Sequence, residues 1–349
     1  MPTPEPTGQA SASPAEPVTA IVVVHRIDPA ATEEALASLA ASVGVELAVV
    51  AVYNGDASGW PVLQALCAQH RAVAVRAATN EGFGAAVNTG LAAATTGSAV
   101  FLLNDDACVE PGTIAECRRV LAAEGPGCIS VAPMVVHHEQ PDRIDSMGVV
   151  LRPNGDAFNA YQGRRRDEFA TAAADGATID ILGPSFSAAL FRAGAFDETM
   201  VGPMATRYFM YYEDVEWNVR ARHRGYRSVA APAAIATHRH ALSARTLGEA
   251  NRFRMVQRNR LLMAVATLSW PGVVRVKVRW LVEHALGVAR GPHRTARLKA
   301  LLGVVRLAPW ALGRRRTCRG RTPVTDAALF AYAVGHHPAI STTDYTLTD

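Results

Sequence analysis

From residue 18 to residue 136 the chain alternates short runs rich in Val and Ile with stretches whose apolar residues recur at helical spacing, and this alternation leaves few folds open. Residues 18–24, 46–52, 73–75, 99–103 and 129–136 read as strands. Between them, residues 31–42 carry Leu36 and Leu39 on one helical face, 62–70 follow Pro61, and 83–95 follow a Gly-rich turn. Pro111 opens a further helix. Strands joined through helices run parallel, because a helical crossover returns the chain to the same end of the sheet, with right-handed connections. The expected fold class is therefore α/β, a mostly parallel sheet flanked by helices.

Beyond residue 136 the pattern loosens. Residues 136–178 predict loops or a short antiparallel excursion, and the run Arg164-Arg165-Arg166 has no periodic place. Apolar character resumes at 179–191 around Gly183-Pro184-Ser185, a helix is expected over 215–224 up to Gly225, and 226–230 reads as a last strand. Charge also divides the chain. Between His238 and Arg321 there are nineteen Lys and Arg against Glu249 and Glu283, so this region carries +17 within a chain whose net charge is only +4. The division into units is a Pro/Ala/Ser leader at 1–17, a catalytic domain at 18–265, a basic amphipathic helical region at 266–320 and a polar tail at 321–349. Five cysteines without a C-x-x-C pair, and a leader lacking a basic and apolar signal, point to a reducing, cytoplasmic setting without a zinc site.

Two apolar stretches in the basic region, 261–274 and 301–313, are too short to span a bilayer, which takes ~20 apolar residues. With Trp270, Trp280 and Trp310 in or beside them and Arg and Lys around them, they suit helices lying on an anionic membrane surface. A helical cap on the domain, with a solvated basic face, explains the same pattern equally well. Arginines set among long apolar runs, rather than among polar or aromatic platforms, argue against nucleic acid as the partner.

Chemistry concentrates where strands should end. Asn104-Asp105-Asp106 follows an apolar strand and delivers carboxylates suited to a divalent cation that bridges phosphates. Alone, such a triplet suits a turn or a helix cap. Asn80-Glu81-Gly82-Phe83-Gly84 opens a helix as a phosphate loop would, although Val87 stands where a dinucleotide fingerprint needs a small residue. Glu213-Asp214 follows Tyr211-Tyr212 and precedes a helix. Beside a metal-bound diphosphate, one of these acids can take a proton from an attacking hydroxyl. His238, with His240 as competitor, offers an imidazole ligand.

Taken in order, these segments resemble the inverting glycosyltransferases of family 2, with the GT-A fold, over roughly residues 18–265. Asn80-x-Gly82-Phe83-Gly84-x-x-x-Asn88-x-Gly90 resembles the family's Gly-rich segment and Leu102-Leu103-Asn104-Asp105-Asp106 its D-x-D element. Phe196-Asp197-Glu198, the stretch from Phe209 to Glu216, Gly225 and His238 follow in the family's order, and rhamnosyltransferase-like members are the most similar. The resemblance implies a nucleotide-sugar donor, a Mg²⁺ or Mn²⁺ cofactor, and a glycan or lipid-linked acceptor of the cell envelope. It places Asp106 and His238 on the metal, Asp214 as general base with Glu213 beside it, and Ser185 on the acceptor side. His25, Asn54, Asp56, Asn80, Gly82, Phe83, Gly84, Asn88, Asn104 and Asp105 fall on the donor side.

The chain departs from the family pattern in places. Tyr53 stands where an Asp usually precedes Asn54, which leaves base recognition to Asp56 if an acid serves it at all. Phe186 replaces a small Gly after Ser185, and a narrowed acceptor pocket is expected from it. A sugar nucleotidyltransferase would need a Gly-rich basic loop after the first strand, where His25-Arg26-Ile27-Asp28-Pro29 stands instead. A catalytically silent scaffold that binds membrane or a partner enzyme is the remaining alternative, should Tyr53 abolish donor binding.

Overall fold

A computed structural model describes residues 17–95, 97–239, 248–320 and 323–335. The expected leader at 1–17, Pro17 apart, His240 and most of the 321–349 tail lie outside the described residues. The strands are β1 (Val18–Val24), β2 (Leu47–Tyr53), β3 (Val73–Arg76), β4 (Ala99–Asn104), β5 (Ala107–Val109) and β6 (Cys128–His137), followed by β7 (Ile144–Ser146), β8 (Val149–Leu151), β9 (Ala157–Asn159), β10 (Ile179–Ile181), β11 (Ala188–Phe191) and β12 (Arg227–His238). The helices α1 (Pro29–Ala40), α2 (Trp60–Gln69), α3 (Phe83–Ala93) and α4 (Thr113–Ala123) alternate with the first six strands. Then come α5 (Ala170–Ala174), α6 (Glu213–His223), α7 (Glu249–Thr267), α8 (Trp270–Arg290), α9 (Arg294–Arg319) and α10 (Asp326–Ala331).

The main sheet has the order β10-β12-β6-β11-β4-β1-β2-β3. β3, β2, β1 and β4 are mutually parallel, as are β6 and β12, while β11 runs antiparallel between β4 and β6 and so keeps both groups pointing the same way. The expected alternation up to residue 136 holds. Aliphatic residues on alternate sides of each strand build one core against α1, α2 and α4 and another against α3 and α6, since successive side chains leave opposite faces of the sheet.

Three departures have local causes. The last strand was expected to stop at Ala230, before Pro232, but β12 continues to His238 across a register shift between Ala231 and Ile235. Proline lacks a ladder N–H and is tolerated at such an irregularity. Strand β5, not expected, adds to β12 in antiparallel register with His238 opposite Ala107. The irregular 136–178 stretch holds β7, the β8–β9 hairpin and α5, and its arginine run is held at the surface, with Arg164 on Glu168 and Arg165 on Asp167.

The expected boundary at 265/266 falls inside α7. α7, α8 and α9 share a third core with α6, in which Leu262, Met263 and Trp280 meet Tyr212, Val215 and Val219. Leu262 and Met263 expose no surface, and side chains buried to this degree contribute roughly 1.5–3 kcal/mol each. Charge fastens the same layer. Glu216 of α6 is fully buried between Arg220 and Arg314 of α9, and Arg260 of α7 pairs with Glu283 of α8. The basic helices therefore cover the body of the protein with their inner faces. No helix among the described residues is long and apolar enough to cross a membrane.

Candidate active site

Polar residues accumulate where the parallel strands end: His25 after β1, Asn54 after β2, Asn80 beyond β3, Asn104 closing β4 and His238 closing β12. This is the edge at which open α/β sheets bind ligands. Its two chemical centres are a His238 cluster and the Glu213-Asp214 pair.

Asp105 and Asp106 form the turn between β4 and β5. Because β5 pairs with β12, the turn is brought beside His238, and the Arg239 N–H donates to the Asp106 carbonyl at 3.0 Å. Oδ1 of Asp106 lies 3.1 Å from His238 Nε2, and Nδ1 of the same ring lies 2.9 Å from Asp145 Oδ2. An acid turn at a strand end is ordinarily solvated, but here Asp106, His238 and Asp145 are all buried. Burial opposes a charged imidazolium, but the two carboxylates outweigh it and push His238 up to about 10. The Asp105 carboxyl is held well above its ordinary range by burial, and then by the neighbouring Asp106. Asn104 completes the group, its Nδ2 3.4 Å from His238 Nε2.

Asp145 carried no signal in the sequence, being one acid in a patternless stretch. It sits where the β6–β7 register slips between Val135 and Val136, a bulge that turns its side chain toward His238. Asn159 of the β8–β9 hairpin holds its other oxygen at 3.3 Å. A carboxylate fixing the far nitrogen of a histidine is the arrangement that orients a metal-ligating imidazole. Asp106 and His238 Nε2 share one proton across 3.1 Å, and an ion that displaces it would meet one carboxylate and one neutral ring nitrogen at the same point. Among the described residues no three His, Cys, Asp or Glu side chains form a metal-holding group. The donor set fits an ion that takes its remaining ligands from a diphosphate and water, not one caged by protein alone.

Glu213 and Asp214 open α6. The loop before them is strained: Phe209, Tyr211 and Tyr212 all have positive φ, at 71°, 69° and 73°, and each such non-glycine residue costs on the order of 1–3 kcal/mol. Three elements impose it. Asn259 of α7, fully buried, donates from one amide to the carbonyls of Tyr208, Met210 and Tyr211 at 2.8–3.0 Å. Phe83 N–H donates to Phe209 O at 2.8 Å, and Tyr212 Oη bonds Gly155 O at 3.1 Å. Nothing in the sequence marked Asn259, which stands between Arg258 and Arg260 in a polar stretch and shows its need for partners only once packing buries it.

The Gly-rich segment serves the same loop. A Cβ on Gly82, whose φ is +94°, would stand 2.0 Å from the Phe209 carbonyl, and one on Gly84 would stand 3.0 Å from Ala205 O. Asn88 clamps Met204 in both directions, donating to its carbonyl at 3.0 Å and accepting from its N–H at 2.9 Å. Phe83, first residue of α3, has therefore spent its N–H on protein rather than leaving it for an anion.

Burial raises both acids of the pair. Glu213 is pushed up by burial and then by Asp214, and its Oε2 is buried without a hydrogen-bond partner; Asp214 is pushed up by burial to about 6 while accepting from Val215 N–H at 2.7 Å. Among the donor-side candidates, Asn54 is buried and donates to Asn80 Oδ1 and Gly82 O, leaving Oδ1 unpartnered, and His25 Nδ1 meets Asn54 O at 2.9 Å. Asp56 is exposed, and Ser58 takes its Oδ1 through both N–H and hydroxyl. Tyr53 turns into the core against Trp60.

Ser185 lies in the bend leading to β11, its Oγ 3.3 Å from Ser187 Oγ, and Ser187 O accepts from Asn104 N–H. Asn218 of α6 holds the same bend through Pro184 O at 2.8 Å, so Ser185 sits between the β4 end and the helix of the acid pair. Phe186 was expected to narrow a pocket. It is buried instead among Phe191 and Trp217, where three further ring contacts complete an aromatic core.

The sequence pattern of the family described as Glycosyltransferase like family 2 matches residues 14–264. No curated protein matches the chain. Similar solved structures include the mannosyltransferase PcManGT from Pyrobaculum calidifontis in complex with GDP-Man and Mn²⁺, at 17% identity and a TM-score of 0.51, covering 87% of this chain and 85% of that one. Residues 1–349 of S. aureus TarS align at 13% identity and TM-score 0.51 over 86% of this chain and 83% of that one. GalNAc-T7 with UDP, GalNAc and Mn²⁺ aligns at 12% and 0.52, over 80% of this chain and 59% of that one. At these identities the likeness establishes the fold.

Proposed function

Because the chain belongs to the glycosyltransferase-like family 2, we propose that it transfers a glycosyl group, with inversion, from a nucleotide diphosphate sugar to a hydroxyl of a saccharide acceptor. The observation that carries this reading is a pair of acid centres: Asp106 and His238 at the strand ends, oriented from behind by Asp145, and Glu213-Asp214 at the start of α6, whose preceding loop is bonded to the Gly-rich segment that follows β3. Asp214 takes the proton of the acceptor hydroxyl. The acceptor oxygen bonds to the anomeric carbon as that carbon's bond to the diphosphate oxygen breaks, and the nucleoside diphosphate leaves with the bonding pair. One displacement inverts the centre. Mg²⁺ or Mn²⁺, held by Asp106 and His238, would neutralise the diphosphate charge; the Mn²⁺ with the mannosyltransferase and GalNAc-T7 supports such an ion.

His25, Asn54 and Asn80, which follow β1, β2 and β3 and are hydrogen-bonded to one another, are the residues proposed for the base or ribose of the donor, and Ser185 is proposed for the acceptor side. The donor proposed is a hexosyl or rhamnosyl nucleotide, and the acceptor a cell-envelope glycan or lipid-linked saccharide. Thermal unfolding against a panel of sugar nucleotides, with and without Mg²⁺ or Mn²⁺, tests this. One nucleotide class should stabilise the chain only with the ion, by about 2.7 kcal/mol at a hundredfold excess over Kd. No stabilisation by any donor would leave the silent scaffold standing.

Asn259 supplies a separate test. Asn259→Ala frees the carbonyls that hold the left-handed loop, so kcat should fall on the order of 10²-fold while the donor KM changes little, as expected of a base displaced by an ångström. Leaving buried carbonyls unpaired also costs about 1–3 kcal/mol in unfolding. An unchanged kcat would mean that Phe83 and Tyr212 suffice to place the base.

A further inference from the structure

Of the fifteen large hydrophobic side chains exposed among the described residues, eleven lie on α8 and α9, so the apolar surface of this protein is concentrated in one region. On α8, Val274, Val278 and Leu286 recur at helical spacing on the side away from Val273, Val276 and Trp280, which fill the core shared with α6 and α7. On α9, Leu302, Val305 and Leu312 do the same opposite Ala300 and Ala311. Both helices are thus apolar on two faces, and among the described residues only the inner face has a partner. Glu216–Arg314 and Glu283–Arg260 keep the inner faces against the body, which leaves the outer faces turned to solvent.

The charge around these stripes selects the occupant. Residues 270–319 contain twelve Lys and Arg and a single acid, Glu283, which is itself paired. Arg275 and Lys277 on α8 and Lys299 and Arg306 on α9 are exposed beside the stripes. A second copy of this surface would set like charges against each other, and a nucleic acid gains nothing from aliphatic stripes. We propose that the outer faces of α8 and α9 dock the protein on an anionic bilayer, the aliphatic stripes entering the interface and the flanking cations meeting lipid phosphates. The alternatives of cap and membrane helix then describe opposite faces of the same two helices.

The proposal deepens the reading of a lipid-linked acceptor and rests on it for biological purpose, but the binding itself needs no turnover. The intact chain is sedimented with vesicles of phosphatidylcholine alone or mixed with phosphatidylglycerol, at low and high salt. It should bind the mixed vesicles, release partly in high salt, and bind the neutral ones less. The double substitution Leu302→Glu and Val305→Glu, at positions already exposed, should weaken binding roughly tenfold or more, with the thermal unfolding of the chain and its response to donor unchanged. Reversing Lys299 and Arg306 to Glu should remove the salt-sensitive part. A chain that responds to donors yet ignores anionic vesicles overturns the docking surface and leaves the glycosyltransferase reading intact; vesicle binding without any donor response does the reverse. Vesicle binding unaltered by the Leu302 and Val305 substitutions, or a dimer that they dissociate without any effect of lipid, also overturns it.

Discussion

Asp214→Asn should reduce glycosyl transfer by about 10²–10⁴-fold, the usual worth of a positioned general base, while leaving donor binding near its original strength. Asparagine keeps the shape and can still accept from the Val215 N–H, so the start of α6 is preserved and only the proton acceptor is lost. Burial raises both carboxyls, with Asp214 pushed up to about 6 and Glu213 raised also by its neighbour, so the pair as a unit gives up its first proton above the ordinary carboxylate range. Turnover of the unmodified chain should accordingly climb through pH 6. Stability should move in the opposite direction. Both folded carboxyls bind their protons more tightly than in the unfolded chain, so their contribution is full below the ordinary carboxylate range and is lost as pH rises through the folded values. Asp214→Asn should therefore unfold at a higher temperature than the parent at mildly alkaline pH. Measured kcat and Tm across pH check both halves; near-normal turnover in this variant, with loss in Glu213→Gln, would move the base to Glu213.

Asp106→Asn should abolish the ion-dependent part of donor binding. Asp106 contributes the carboxylate that faces His238 Nε2, and loss of an outer-shell partner alone typically costs 10–100-fold in metal affinity, so loss of a ligand should cost at least ~100-fold. The ring remains anchored through Nδ1 to Asp145, whose own carboxylate is steadied by Asn159, so the fold should survive the change. Asp145→Asn should give the milder 10–100-fold loss, because it loosens the ring without removing a ligand. The measurement is calorimetric titration of donor with Mn²⁺ against donor with chelator. An Asp106→Asn chain whose donor affinity still depends on Mn²⁺ as in the parent would take Asp106 out of the ion site.

Local pattern carried the first half of the molecule. The Val- and Ile-rich runs up to residue 136 declare strands because their periodicity and length are properties of contiguous residues, and the same is true of α6 between Glu213 and its glycine stop at Gly225. The acids after β4 and before α6 were legible too, since carboxylates placed next to an apolar strand or a helix start are conspicuous without any knowledge of packing. Pairing and burial were not legible, because they depend on residues far apart in the chain. β12 runs past Pro232 only because a register shift against β6 absorbs the proline, and that continuation is what sets His238 opposite Ala107 and hence beside Asp106. Asp145 acquires a role from a bulge ninety-three residues away from the histidine it orients, Phe186 turns inward to meet Trp217, and Asn259 reaches carbonyls some fifty residues upstream. The basic helices show the division most plainly. The order of Arg and Lys among Leu and Val determined by itself that these helices would carry both basic and apolar surface, whereas tertiary packing decided which apolar face would be spent on the core with α6 and which would remain on the surface, because only the folded chain brings a partner to one side of each helix.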